Sequence, residues 1–115
     1  MDYVAMDVKN SRENYGRTIG FEGYDTRNVE KSVGYLLSDA VDYEFRTTVV
    51  REFHQRSDFE AIGRWIKGAK RYYLQQFQDS GDLIRPGLHA YNDNIMRQAL
   101  DVVKAYVPSA ELRGI

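Results

Sequence analysis

The chain has 115 residues and contains no cysteine. This absence excludes disulfide bonds, thiolate nucleophiles, cysteine-based zinc sites and cysteine-ligated iron–sulfur clusters within the chain. Long apolar runs are missing too, since every uncharged apolar stretch falls far short of the roughly 20 residues of a membrane-spanning helix. The N-terminus also lacks a basic region followed by an apolar stretch. We therefore expect a cytoplasmic protein that does not bind a membrane.

A marked excess of charge of either sign is also absent. The chain has 16 basic and 17 acidic residues, and its formal net charge is -1. A nucleic-acid partner would call for a basic excess or stripe, so we expect none. Hydrophobic residues make up 43% of the chain and aromatic residues 13%, which indicates a folded protein. We expect one domain spanning residues 1–115, since a chain of this length has room for a single core.

Hydrophobic periodicity predicts an α/β protein with the element order β-α-β-α-β-α-β. The predicted strands cover residues 3–9, 42–50, 72–77 and 111–113, the first as a strand buried on both faces. The predicted helices begin at Thr26 or Asn28, at a capping box over residues 57–60, and at Asn92. This order indicates a parallel sheet. Periodicity alone leaves open whether that sheet is doubly wound or part of a (β/α) barrel.

The segments between these elements offer few candidates for chemistry. Residues 10–25 are expected to form a loop with one helical turn. Residues 79–92 are expected to form a long irregular segment, and long segments at the end of a strand are often functional. His54 and His89 fall in loop-like stretches and are expected to face solvent. No metal site is predicted, because further nitrogen or sulfur ligands are missing.

Five segments of the chain together resemble the radical S-adenosylmethionine (SAM) activating proteins of anaerobic ribonucleotide reductase. The pyruvate formate-lyase activating enzymes are close relatives of that family. The segments are residues 2–9 (DYVAMDVK), 42–50 (DYEFRTTVV), 61–66 (AIGRWI), 73–77 (YLQQF) and 111–114 (ELRG). The resemblance runs through the chain in order. It implies the C-terminal half of a partial (β/α)6 radical SAM barrel.

The resemblance also implies a reaction, a cofactor and a partner. In the whole enzyme, three cysteines spaced C-x3-C-x2-C hold a 4Fe-4S cluster that reduces SAM to a 5′-deoxyadenosyl radical. The radical takes a hydrogen atom from a glycine of a glycyl radical enzyme, such as anaerobic ribonucleotide reductase or pyruvate formate-lyase. This chain lacks those cysteines. Alone it is expected to hold no cluster and to be inactive as an oxidoreductase.

The resemblance assigns five residues to the SAM site. Asp7 and Lys9 match a D-x-K element that points at the methionine part of SAM, where a carboxylate suits the ammonium and a lysine suits the carboxylate. Arg46 matches an arginine of the following strand that reaches toward SAM. Gln75 and Gln76 match the strand that borders the adenosine. Because they point to opposite faces of a strand, at most one of them lines the site.

Other interpretations of the same residues remain open. Asp7 and Lys9 could form a plain salt bridge, and Arg46 could pair with Glu44 or with Asp7. The chain could also be a non-catalytic module that forms homo-oligomers, because a half barrel is expected to expose strand edges and an apolar inner face. A small α/β enzyme using acids of the segment 79–92 would need no SAM. No carboxylate spacing supports that third interpretation.

Overall fold

The computed structural model describes residues 3–12, 14–19, 25–38, 41–77 and 89–113. Its strands are β1 (Tyr3–Asp7), β2 (Asp42–Val49), β3 (Tyr72–Gln76) and β4 (Glu111–Arg113). Its helices are α1 (Tyr15–Ile19), α2 (Arg27–Leu37), α3 (Arg56–Trp65) and α4 (Asp93–Lys104). The predicted element order is confirmed, including the helical turn after β1. Most of the predicted irregular segment 79–92 lies outside the described residues. None of the described helices combines the length and apolarity needed to cross a bilayer.

The strands form one parallel sheet in the order β1-β2-β3-β4. Each strand pairs with the strand that precedes it in the chain. A doubly wound sheet reverses its strand order at a switch point, whereas a barrel adds every new strand on the same side. The described strands show no such reversal, and their order is typical of a barrel-type succession of βα units.

One hydrophobic core lies between the sheet and the helices. The sheet contributes alternate residues of its central strands, which are Tyr43, Phe45, Val49, Tyr72 and Leu74. The helices contribute their apolar stripes, which include Val33, Leu36, Phe59, Ile62, Met96, Ala99 and Val103. Each valine, leucine, isoleucine, phenylalanine or methionine among them stabilises the fold by about 1.5–3 kcal/mol when it is fully buried.

The prediction that β1 is buried on both faces was wrong. Tyr3 is 52% exposed and Val4 is 37% exposed. β1 is the outermost strand of the described sheet and pairs only with β2 there. An apolar pattern on both faces indicates that a strand is suited to burial between other elements. Among the described residues, β1 has a neighbouring strand on one edge only, which is β2.

The predicted start of α3 was also wrong by two residues. The helix begins after Gln55, whose backbone N–H donates to the Asp58 carboxylate at 2.9 Å. Ser57 lies inside the first turn, so the predicted capping box over residues 57–60 does not form. Asp58 takes the capping role because its carboxylate is buried and must find several donors.

Candidate functional site

Polar side chains cover the sheet face opposite the helices. We call this surface the polar face, and its residues are Tyr3, Asp7, Glu44, Arg46, Thr48, Tyr73, Gln75, Glu111 and Arg113. The parallel register places Asp7 beside Arg46, and Arg46 beside Tyr73. The expected apolar inner face is therefore wrong. The residues of β2 that point away from the helices are charged or polar, and a barrel interior that binds a polar ligand needs such residues.

Asp7 joins two cations where β1 ends. Lys9 Nζ donates to Asp7 Oδ2 at 3.4 Å, and Arg46 Nε lies 3.2 Å from Asp7 Oδ1. The side chains of Asp7, Lys9 and Arg46 are 46%, 49% and 35% exposed. Water screens these pairs, so each contributes at most about 1 kcal/mol to stability. Three of the five predicted site residues thus lie together.

The Arg46 side chain is incompletely satisfied. Its Nε is buried, and it makes no hydrogen bond within the part of the chain that the structure describes. The 3.2 Å approach to Asp7 is an ion contact without hydrogen-bond geometry. A buried donor without an acceptor costs about 1–3 kcal/mol. A ligand carboxylate or hydroxyl oxygen placed beside Nε would remove that cost.

The two glutamines of β3 have separate environments. Gln76 Nε2 donates to the Tyr91 carbonyl at 2.9 Å and to Asp93 Oδ1 at 3.0 Å. These bonds tie β3 to the start of α4 and account for Gln76 without a ligand. Gln75 lies on the polar face, in register with Thr48. Of the two, Gln75 is the one that shares the polar face with Arg46.

Glu44 belongs to a second polar cluster on the same face. Its nearly buried carboxylate accepts from the Tyr3 hydroxyl at 2.8 Å and from Arg113 Nη1 at 3.2 Å. The Arg113 guanidinium lies 3.6 Å from the ring centroid of Tyr73. Desolvation and the hydrogen bond to Glu44 raise the pKa of the Tyr3 hydroxyl. Glu44 is thus engaged elsewhere, and Arg46 pairs with Asp7.

His54 lies directly behind the site, and its predicted exposure was wrong. The ring is fully buried, its Nδ1 accepts from the Val50 N–H at 3.0 Å, and its Nε2 is 2.8 Å from the Lys9 carbonyl. Nδ1 also lies 3.2 Å from the Val50 carbonyl, but because the Lys9 carbonyl can only accept, we assign the ring hydrogen to Nε2, which donates to Lys9. Periodicity could not have found this residue, because it lies between elements.

His89 is exposed as predicted, and its Nδ1 lies 3.0 Å from Glu52 Oε2.

Asp58 is a further buried polar residue that the sequence analysis did not connect with the site. Its carboxylate accepts from Ser11 Oγ at 3.2 Å, Asn14 Nδ2 at 2.6 Å and the Gln55 N–H at 2.9 Å. These bonds link the loop after β1 to the start of α3. The loops at the carboxyl ends of β1 and β2 are therefore joined, at the sheet edge where ligands of α/β proteins bind.

A metal centre does not fit the described residues. The described ranges contain no group of three or more histidine, cysteine, aspartate or glutamate residues that could hold a metal ion. The whole chain has no cysteine. A cysteine-held 4Fe-4S cluster is therefore incompatible with this chain alone.

Comparison with known proteins gives a relative and a fold. No family model matches the chain. The chain is 28% identical, over 120 aligned residues, to a protein of Methanocaldococcus jannaschii that is named as a candidate glycyl-radical enzyme activating enzyme. The alignment covers 100% of this chain and 50% of that protein, so the chain spans about half the length of its curated relative. The resemblance inferred from the sequence is confirmed, and a C-terminal half fits this coverage.

A solved structure supports the same fold. A domain of pyruvate-formate lyase-activating enzyme from Bacteroides vulgatus superposes with a TM-score of 0.75. The match covers 97% of this chain and 67% of that domain, at 10% sequence identity. At such identity the likeness concerns the fold alone. It confirms the α/β architecture of parallel strands alternating with helices.

Proposed function

We propose that this chain is the C-terminal part of a radical SAM activating protein for a glycyl radical enzyme. Its role would be to contribute contacts to SAM and to the partner enzyme. The observation that carries the proposal is the group of Asp7, Lys9 and Arg46 at the ends of neighbouring parallel strands, with a buried Arg46 N–H that still lacks an acceptor. The relationship to a candidate glycyl-radical enzyme activating enzyme supports the choice of ligand and partner.

The charges of this group suit the methionine part of SAM. One carboxylate, Asp7, faces the two cations Lys9 and Arg46, which leaves a local excess of one positive charge. A ligand group that carries both an ammonium and a carboxylate can replace these pairs, because the ammonium pairs with Asp7 and the carboxylate pairs with the two cations. Asp7 would accept from the ammonium, and Lys9 would bind the carboxylate. Arg46 Nε would donate to the carboxylate or to a ribose oxygen.

The remaining assignments follow from position. Gln75 would lie beside the adenosine, one register row further along the polar face. Bound SAM is the source of the 5′-deoxyadenosyl radical in such enzymes. The cluster that reduces SAM does not fit this chain, since it has no cysteine, and those ligands would have to come from outside it. This chain's residues would bind and orient SAM.

Calorimetric titration of SAM into the chain tests the proposal. We expect wild-type protein to bind, and the double variant Asp7→Ala, Lys9→Ala to bind at least about tenfold more weakly, because about 1.4 kcal/mol of charged contacts corresponds to that factor. The matched control is Arg56→Ala, Glu60→Ala. It also removes one cation and one anion that form an exposed ion pair, in this case on α3.

The control variant should bind SAM like wild type. Equal affinity in the Asp7, Lys9 variant and in wild type would overturn the assignment of these residues. Absence of binding by wild type would overturn SAM contact by this chain.

A second candidate function is a non-catalytic module that self-associates through β1. The observation in its favour is the outer edge of the described sheet, where Tyr3 and Val4 are exposed. Unpaired strand edges invite pairing with another chain. The charged polar face weakens the idea that apolar burial would drive this association. Light scattering on the titration samples decides, because a concentration-independent monomer mass would exclude this candidate.

A further inference from the structure

The backbone beyond β1 is held by a series of hydrogen bonds from β2 and the loop after it. The Val8 N–H donates to the Arg46 carbonyl at 2.7 Å, and Thr47 Oγ1 donates to the Val8 carbonyl at 2.7 Å. The next carbonyl, that of Lys9, accepts from His54 Nε2 at 2.8 Å. Three consecutive contacts therefore determine how the chain leaves the strand that carries Asp7.

His54 is itself firmly placed. The Val50 N–H donates to its Nδ1 at 3.0 Å, and the Tyr91 hydroxyl donates to its backbone carbonyl at 2.6 Å. Its ring stacks on Phe59, with centroids 6.0 Å apart and planes 21° from parallel. A fully buried imidazole with both nitrogens engaged has one orientation. It can impose that orientation on the peptide to which it donates.

We infer that His54 is a positioning residue for Lys9. The bond from Nε2 to the Lys9 carbonyl fixes the peptide plane after Lys9, and with it the direction in which the Lys9 side chain leaves the backbone. Since that side chain is long and half exposed, its reach toward Asp7 depends on where its backbone is held. The inference rests on the proposed function in one respect, which is that Lys9 contacts SAM.

A plain structural role for His54 predicts something different. If the ring merely fills the core and closes the turn 50–54, every replacement should cost stability without a specific effect at Lys9. Substitutions can test the hydrogen bonds of the two ring nitrogens one at a time. A glutamine amide nitrogen reaches about as far as Nε2, so His54→Gln keeps a donor for Lys9. An asparagine oxygen lies near the position of Nδ1, so His54→Asn keeps the acceptor for Val50 and loses the bond to Lys9.

The test combines native-state hydrogen exchange with SAM titration of both variants. We expect His54→Asn to speed exchange of the amides of residues 8–11 by about fivefold and to weaken SAM binding by about fivefold, the size expected for one lost hydrogen bond. His54→Gln should match wild type in both measurements. Urea unfolding of the two variants provides the correction for any change in global stability.

The outcomes separate this inference from the proposed function. Equal exchange at residues 8–11 in the two variants, after that correction, would overturn the positioning role. If wild type binds no SAM, the proposed function fails, while the exchange data still decide whether His54 holds Lys9. A measurement on the wild-type protein tests the same hydrogen bonds without depending on whether the variants fold. Nitrogen-15 NMR of the His54 ring should show a protonated Nε2 and a bare Nδ1, and a protonated Nδ1 would contradict the geometry.

Discussion

At the scale of single residues, buried polar side chains hold the loops at the carboxyl end of the sheet. Asn10 is fully buried, its Nδ2 donates to Thr18 Oγ1 at 2.8 Å and to the Phe53 carbonyl at 2.9 Å, and its Oδ1 accepts from the Ser11 N–H at 2.7 Å. The Asp58 carboxylate likewise accepts hydrogen bonds from the loop after β1 and from the loop after β2. Buried polar groups persist only with such partners. These residues therefore order loop segments that contain few apolar side chains.

Replacing Asp58 tests how much this network contributes. We expect Asp58→Ala to lower the free energy of unfolding by about 2–4 kcal/mol, because it removes hydrogen bonds to a charged group and leaves buried donors unpaired. Urea denaturation measures the change. The control Asp101→Ala removes an exposed carboxylate on α4 and should change stability by less than about 0.5 kcal/mol. Similar losses in the two variants would show that the network does not stabilise the fold.

At the scale of elements, α3 is closely approached at one glycine by the segment that follows α4. Gly63 is buried within α3, and a Cβ placed there would lie 2.5 Å from Cδ2 of Tyr106, which follows α4. The aromatic ring thus packs directly on the helix backbone. Asn92 begins α4 as predicted, since its side chain accepts from the Ile95 N–H at 2.9 Å. The Asn92 cap thus defines the start of α4, and the Gly63–Tyr106 contact is a close approach in addition to the shared core of the two helices.

The space around two helical glycines, Gly63 and Gly34, predicts opposite effects of alanine substitution on stability. Gly63→Ala should destabilise the protein by about 1–3 kcal/mol, because the added methyl displaces the Tyr106 ring. Gly34→Ala should stabilise it by about 0.5–1 kcal/mol, since Gly34 lies in α2 with nothing within 4 Å of the added Cβ. Thermal unfolding of both variants gives the comparison. If Gly63→Ala stabilised the protein, the Tyr106 ring would have to lie further from the backbone of Gly63.

At the scale of the whole molecule, buried tyrosines make stability depend on alkaline pH. Desolvation raises the pKa of the fully buried Tyr72 hydroxyl and that of the partly buried Tyr91 hydroxyl. In the unfolded chain tyrosine ionises near pH 10. Below that pH the contribution of these groups is fully present. It is lost as pH rises above about 10 toward the folded-state pKa values, because the unfolded chain then releases protons that the folded protein retains.

The variant Tyr72→Phe tests this dependence. Wild-type stability should fall above about pH 10, by up to about 1.4 kcal/mol per pH unit for each such tyrosine. Tyr72→Phe should lose about 1 kcal/mol near neutral pH, with the hydrogen bond to Thr47, and show a shallower alkaline decline. Urea unfolding at a series of pH values measures both. The control Tyr35→Phe removes an exposed hydroxyl on α2 and should change stability near neutral pH by less than about 0.5 kcal/mol.

The elements and their order could be predicted from the sequence because their signals are local. The apolar stripe of α3, the Asn92 cap and the β-branched run of β2 each lie within a few neighbouring residues. The family resemblance likewise indicated Asp7, Lys9 and Arg46 as a group, and their proximity is confirmed. The burial of Asp58 could not be predicted, because its partners Ser11 and Asn14 are more than forty residues away, although its capping bond to Gln55 is local.

The sequence by itself therefore determined the fold class, the absence of cysteine and the candidate residues of the site. Only the tertiary structure decided that Arg46 pairs with Asp7, that Gln76 bonds to the start of α4 while Gln75 lies on the polar face, and that His54 is buried against Lys9. The physical reason is that these contacts depend on strand register and on loops that meet in space. His54 and Lys9 are 45 positions apart, and no local pattern records their hydrogen bond.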